Sequence, residues 1–446
     1  MKFSSDFFNF EFLRVLGTAP LQGADVAECL EVASQIRGED PDCWYQAWSR
    51  AAEKAEAMGE DARRSGDRQV AVWAYLRASN YRRSSEFMLH HVPLTLADSR
   101  SCSSLKQAIQ NFRHACELMD SPVEFLEIPY QHAGITHRLP AYLFLPVQSS
   151  TAIRPATIPV VVTTGGFDSI QEELYYYAAS GARTRGYATL SFEGPGQGIM
   201  LHREEGSLHL RPDWEVVIEA VLDGLFATST AHPEWNLDLS RLALFGASMG
   251  GYFALRGATD ARIKACVAVD PFYDLATPLR ARMPDWLMAA IEHGYVSDRL
   301  FDGLFRVLAA LNFQTRWEFG HGMRALGIGS PAALVREFTR YTLRPVPGKA
   351  SPAAPSSPLD RIHCPVLVTG ARESMYFPPD TSAVPIYEAL RRRPDVATDL
   401  WLPEGVGQGG LQAKVGSLSH LHAKTFGWLD HVFGINRAVP QGEIQR

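Results

Sequence analysis

The stretch Leu242-Ala243-Leu244-Phe245-Gly246-Ala247-Ser248-Met249-Gly250-Gly251 decides how the rest of the chain is read. A short apolar run passes through Gly-x-Ser-x-Gly directly into a helical pattern. In such an elbow the serine sits on a strained strand-to-helix turn, and the flanking positions are glycine because a side chain there collides with neighbouring backbone. The following helix start offers free N–H groups and partial positive charge. A bare Gly-x-Ser-x-Gly arises by chance; one set between a buried strand and a helix is far more specific.

Working outward, the same alternation continues on both sides. PVVVTTGG (159–166) is followed by the helical EELYYYAASGART, then GYATLSFEGPGQG, the helix DWEVVIEAVLDGLFATS, and, beyond the elbow, KACVAVDPF and CPVLVTGARE. Short, fully apolar strands separated by helices predict a mostly parallel sheet covered on both faces. VEFLEIPY and HRLPAYLFLPV, from Pro122 onward, read as a hairpin leading into it. The division expected is an N-terminal helical domain over 1–121, a core over 122–274 and 359–446, and a helical cap insertion with a Pro-rich linker over 275–358. The linker is PVPGKASPAAPSSP, expected to be mobile or irregular.

Composition sets outer limits. Of 446 residues 46% are hydrophobic and 21% charged, so the chain buries a core and is not a disordered one. Lys and Arg total 43 against 49 Asp and Glu, a net charge of −6, with no basic block, which argues against a nucleic-acid partner. The six cysteines are scattered without metal-ligand spacing and read as reduced thiols. No window reaches the roughly 18 apolar residues of a spanning helix, and MKFSSDFFNFEF lacks the apolar run of a secretory signal. A cytoplasmic protein without metal or cofactor, and off the membrane, is the expectation.

Around Ser248 the chemistry needs three further parts. Two backbone donors form an oxyanion hole: the N–H of Met249, and that of Phe167, in the loop where Gly166 lets backbone approach a ligand. An acid is expected after the next-to-last strand, which points to Glu373, with Asp380 and Asp270 as weaker alternatives. Asp168, beside the Gly-Gly turn, is a candidate for substrate binding; carboxylates at a helix start, as it, Glu172 and Glu173 are, commonly serve as dipole partners. Glu193 is expected to fix its loop by hydrogen bonding. Trp286, Phe305, Phe313, Trp317 and Phe319 are candidates to line an apolar tunnel, or else simple core.

Taken together, CWYQAW, YLRASNYRRSSEF, GGFDSIQEELYYYA, FEGPGQG, RPDWEVV, FGASMGGYFALR and DPFYD resemble the fungal yellowish-green-type α/β hydrolases, relatives of dihydroxypseudooxynicotine hydrolase. The resemblance implies an α/β-hydrolase fold beneath an N-terminal helical region. It implies cleavage of carbon–carbon bonds beside ketones, or action on acyl esters, with a polyketide-type substrate that arrives free or on a carrier protein, and homodimers built through the N-terminal helices.

One part departs from the family pattern. Aligned on Gly416, Gln412 stands where the family has its catalytic histidine, and no histidine occurs between His363 and His420. An amide does not titrate near neutral pH and cannot accept the serine proton. His420 or His422 in the final helix are the replacements to consider. They lie about 200° apart by the roughly 100° turn per residue, so at most one faces inward. Otherwise the triad is incomplete, which leaves three functional readings. These are a serine-dependent hydrolase or acyltransferase, a non-hydrolytic cyclase or condensation catalyst on the same fold, and an inactive binding protein.

Overall fold

The computed structural model describes residues 3–91, 98–147, 157–203, 208–282, 285–345 and 357–437; most of the Pro-rich linker, 346–356, lies outside them. Five helices open the chain: α1 (Asp6–Leu16), α2 (Val26–Gln35), α3 (Pro41–Ser65), α4 (Arg68–Phe87) and α5 (Ser99–Leu118). Each begins after a residue whose side-chain oxygen accepts from a first-turn amide: Ser5, Asp25, Asp40, Asp67 and Asp98. Such caps satisfy donors that the helix itself leaves unpaired.

Eight strands follow: β1 (Val123–His132), β2 (Ile135–Phe144), β3 (Ile158–Thr164), β4 (Ala188–Phe192), β5 (Leu237–Ala247), β6 (Ala265–Val269), β7 (Val366–Thr369) and β8 (Thr398–Trp401). They make one sheet in the order β1-β2-β4-β3-β5-β6-β7-β8. The β1–β2 hairpin and the β2–β4 pair are antiparallel, and all other neighbours are parallel. Every residue of β4, β6 and β7 is buried, as in a sheet covered on both faces. One face packs on the helices Glu215–Ala231 and Met249–Gly257, the other on α5, the Tyr175–Ala182 segment and the final helix Leu418–Val432.

The expected boundary at 121/122 falls between α5 and β1, and that at 274/275 falls after β6. Five helices occupy 277–338. They pack on one another around Phe301, Phe305, Phe319, Leu334 and Val335, and they also reach the N-terminal helices. Phe313 and Trp317 belong to the aromatic core of α1–α4, with Trp317 stacked on Phe87 and donating its indole N–H to the Phe87 carbonyl at 2.7 Å. The cap and the N-terminal helices are thereby fastened together above the carboxyl ends of the strands. No described helix is long and apolar enough to cross a membrane.

Candidate active site

Ser248 is the residue that links β5 to the helix Met249–Gly257, at φ 57° and ψ −120°, a conformation that L side chains rarely adopt. Its amide donates to the Val269 carbonyl at 2.8 Å and its carbonyl accepts from Gly251 at 2.9 Å. The elbow tolerates no bulk: a Cβ on Gly246 would lie 1.9 Å from the Gly250 carbonyl oxygen, and one on Gly250 would lie 2.7 Å from that of Thr164. Ser248 faces a largely apolar cavity with Gly166, Phe167, Asp168 and Met249 also on its walls.

The backbone donors are held from behind. Gln197 spans the FEGPGQG loop, accepting from the Gly194 amide and donating its Nε2 to the Gly166 carbonyl at 2.9 Å. No described peptide bond is cis. In a planar trans peptide the N–H points opposite to the C=O, so this bond turns the Phe167 N–H away from Gln197. The next carbonyl, that of Phe167, accepts from His321 Nε2 at 2.8 Å. Met249 is the first residue of its helix, and its N–H has no intrahelical partner.

Behind His321 runs a buried chain. His321 Nδ1 lies 3.0 Å from His90 Nδ1, and His90 Nε2 lies 2.5 Å from the Glu86 carboxylate, which also accepts from the Ser101 hydroxyl. Burial pushes His321 down to about 3, so it is neutral, donates only to Phe167 and accepts from His90. Burial raises the Glu86 carboxyl, but His90 and Ser101 outweigh it and bring it to about 2. Four regions meet in this chain: α4 with the turn after it, α5 through Ser101, the cap helix Phe313–Leu326, and the loop after β3.

No histidine is among the described residues lining the cavity. Gln412, which aligns with the histidine of the family pattern, lines it, and both ends of its amide are bonded. Its Oε1 accepts from the Ser374 hydroxyl at 2.7 Å, and its Nε2 donates to the Asp270 carbonyl at 2.8 Å. The expectation for His420 does not hold, since its side chain is exposed on the outer face of the final helix. His422 is buried, but against the Tyr176 and Tyr177 carbonyls, under the other face of the sheet. Glu373 is not brought to the cavity either. It is exposed, with its amide donating to Gly410. Asp380 is exposed as well.

Asp270 is at a strand end as an alternative acid should be, yet one of its two oxygens is already occupied. Lys414 Nζ lies 2.7 Å from its Oδ1 and 2.9 Å from the Gly370 carbonyl, and Thr369 donates to the same carboxylate oxygen at 2.6 Å. Both side chains are buried, at 0% and 2% exposure. This ion pair pins the loop that carries Gln412.

Part of the cavity wall comes from α1, through Phe10, Glu11 and Arg14, none of which the sequence singles out as a site residue. Arg14 clasps Glu173 through two nitrogens at 2.6 and 2.5 Å, and its third reaches Asp168 at 3.0 Å and Glu11 at 3.3 Å. The legible sign was the pair Glu11 and Arg14, one helical turn apart within the largely apolar DFFNFEFLRVL. Glu172 instead accepts from Tyr142, away from the cavity, and Glu193 accepts from the amides of Gln171 and Ile199, which fixes its loop. Of the aromatic candidates, Trp317 and Phe319 line the cavity. Phe305 backs Phe319, Phe313 lies in the N-terminal core, and Trp286 is 70% exposed.

A mostly parallel sheet with a serine on a glycine-flanked elbow over β5 defines an α/β-hydrolase fold. The family model for the alpha/beta hydrolase family matches residues 160–413, and the chain belongs to that family. It is 48% identical over 437 residues to the 20-hydroxy-prefusarin hydrolase FUS2 of Gibberella moniliformis, covering 98% of this chain and 99% of that one. It is 46% identical over 436 residues to the alpha/beta hydrolase psoB of Aspergillus fumigatus, with coverage of 98% and 95%. Among solved structures, the 2,6-dihydroxy-pseudo-oxynicotine hydrolase superposes with a TM-score of 0.67 at 19% identity, over 95% of this chain and 98% of that one. That likeness extends to the N-terminal helices as well as the sheet.

Proposed function

We propose that this protein is a serine-dependent enzyme of fungal secondary metabolism that acts on the carbonyl of a polyketide-type ketone, ester or thioester. Ser248 meets the carbonyl carbon, and the Phe167 and Met249 amides take the developing negative charge. The observation that carries this reading is the strained elbow conformation of Ser248, kept at the wall of an apolar cavity. Strain of that kind persists where a site uses it. The relative named for 20-hydroxy-prefusarin supports a hydroxylated small molecule as the substrate class.

Gln412 favours a second reading, ring closure or condensation on the same carbonyl without a full triad. An oxyanion hole alone retains a part of the catalysis of such sites, and a cavity that excludes water favours attack by the substrate's own hydroxyl. A hydroxyl-bearing acyl N-acetylcysteamine thioester distinguishes the two: free acid marks hydrolysis, lactone marks closure. The shared reading expects a fluorophosphonate probe to label the wild type at Ser248 and the Ser248→Ala variant to lose both label and turnover. Turnover retained by Ser248→Ala would rule out the covalent role. An unlabelled and inert wild type would leave only a binding protein.

A further inference from the structure

We infer that Glu11, contributed by the N-terminal helix α1, is the proton-transfer residue of this cavity and does the work for which an imidazole is missing; this rests on the carbonyl-directed reading above. The argument is one of charge and place. Five ionisable groups meet where α1, α4 and the loop after β3 converge. Arg14 bonds Glu173, Asp168 and Glu11, and Arg83 of α4 lies 3.6 Å from Glu173. Two guanidinium groups thus face three carboxyls. Glu173 holds both Arg14 and Arg83, and Asp168 holds the remaining Arg14 nitrogen at 3.0 Å. Glu11 has only the longer 3.3 Å contact to that same nitrogen. An uncompensated third negative charge in an apolar wall is costly, and a carboxyl in that position keeps its proton instead.

The other titratable groups on this cavity add no positive charge: they are Tyr177, from the segment after β3, Glu318, from the cap helix, and Tyr376, from the loop after β7. His321 is neutral behind Phe167. Burial, partly offset by Arg14, accordingly pushes the Glu11 carboxyl up to about 8, while Asp168, beside Arg14, is held below its usual range despite its burial. The result is a neutral carboxylic acid and an ionised carboxylate side by side on the wall of the cavity that Ser248 lines. Environments that push two carboxyls apart in this way assign an acid.

The transfer balances. An attacking hydroxyl, that of Ser248 first and then water or the substrate's own, forms the new C–O bond, and the carbonyl π pair moves onto its oxygen. As the intermediate collapses, the bond to the leaving sulfur or oxygen breaks and that atom takes the proton of Glu11. The carboxylate so formed takes the proton left on the attacking oxygen. Glu11 ends protonated, as it began.

The test uses the full chain and the same N-acetylcysteamine thioester. Wild-type kcat/KM is expected to fall as pH rises through about 8, because the acid form is lost there. Glu11→Gln keeps the shape and a donor but transfers no proton. It should lower kcat about 10²- to 10⁴-fold and erase that limb, while Glu11→Asp keeps a limb at reduced rate. Infrared difference spectra of wild type against Glu11→Gln should show one protonated-carboxyl band at pH 7. An active wild type matched by Glu11→Gln in rate and pH profile overturns the role of Glu11. An absent band overturns its protonation, whatever the substrate. A wild type inert on every carbonyl substrate, with the band present, overturns the carbonyl reading and with it the catalytic role.

Discussion

Replacing Gln412 by histidine returns an imidazole to the loop after β8, and the expected size of the effect follows from what now holds the amide. Gln412 has two hydrogen bonds, from Ser374 and to the Asp270 carbonyl, each worth about 1 kcal/mol net, so Gln412→His should cost about 1–2 kcal/mol of stability. A general base at a serine contributes about 10²- to 10⁴-fold. Here the gain belongs at the low end, about 10²-fold, because the carboxylate that would orient the ring is engaged by Lys414 and Thr369. Losing the orienting acid of a complete triad costs about 10⁴-fold. The assay is the pseudo-first-order rate of fluorophosphonate labelling at Ser248 across pH 5 to 8. Gln412→His should label faster than wild type and show a rise with the titration of an imidazole, centred near pH 6.5, that wild type lacks. Equal rates and no such inflection, in a folded variant, would show that Gln412 does not occupy the base position and would refute the argument.

Other perturbations probe the supports of the site. Gln197→Leu removes the donor that orients the Gly166–Phe167 peptide, and the thioesterase or lactonisation kcat should fall about 10²-fold with KM little changed. Asp270→Asn and Lys414→Met should each destabilise by about 3–5 kcal/mol in urea melts, since each leaves a buried charge unpaired, while the double variant recovers most of that loss. Acid should loosen the contact between cap and N-terminal helices. The unfolded chain protonates His321 below its ordinary 6.5 while the folded state resists down to about 3, and Glu86, lowered to about 2, loses its contribution as pH falls below its ordinary 4.5. Both act in one direction, so hydrogen exchange in Phe313–Leu326 should rise from pH 6.5 toward pH 3, and a flat profile would contradict the neutral assignment of His321.

How far the sequence could be read depended on how local the relevant physics is. The elbow was legible because Gly246 is dictated by the Gly250 backbone four residues on, and Gly250, which is pressed by the distant Thr164 carbonyl, falls in the same short motif; the strands were legible because burial on both faces leaves continuous apolar runs. Gln412 was legible too, as a misfit against the histidine of a family pattern. Glu373 was not, because an offset from a strand end says nothing of which way a loop turns, and here it turns the carboxylate to solvent. Asp270 was legible as a strand-end acid, but its occupation by Lys414, 144 positions further on, was not.

The largest gap concerned α1. Phe7, Phe8 and Phe12 pack in the N-terminal core, while Phe10, Glu11 and Arg14 of the same helix line the cavity. Hydrophobic periodicity identifies the buried face of a helix and cannot say what that face is buried against. Here the answer lies 154 positions away at Asp168 and 159 positions away at Glu173. Cap, N-terminal helices and hydrolase core each supply part of the chain from Glu86 through His90 and His321 to the Phe167 carbonyl. On the proposed reading the N-terminal helices contribute to the site: Glu11 on α1 and Ser248 on the elbow line one cavity, and the Arg14 bonds to Glu173 and Asp168, together with the packing of Trp317 and His321, hold α1 against the hydrolase core.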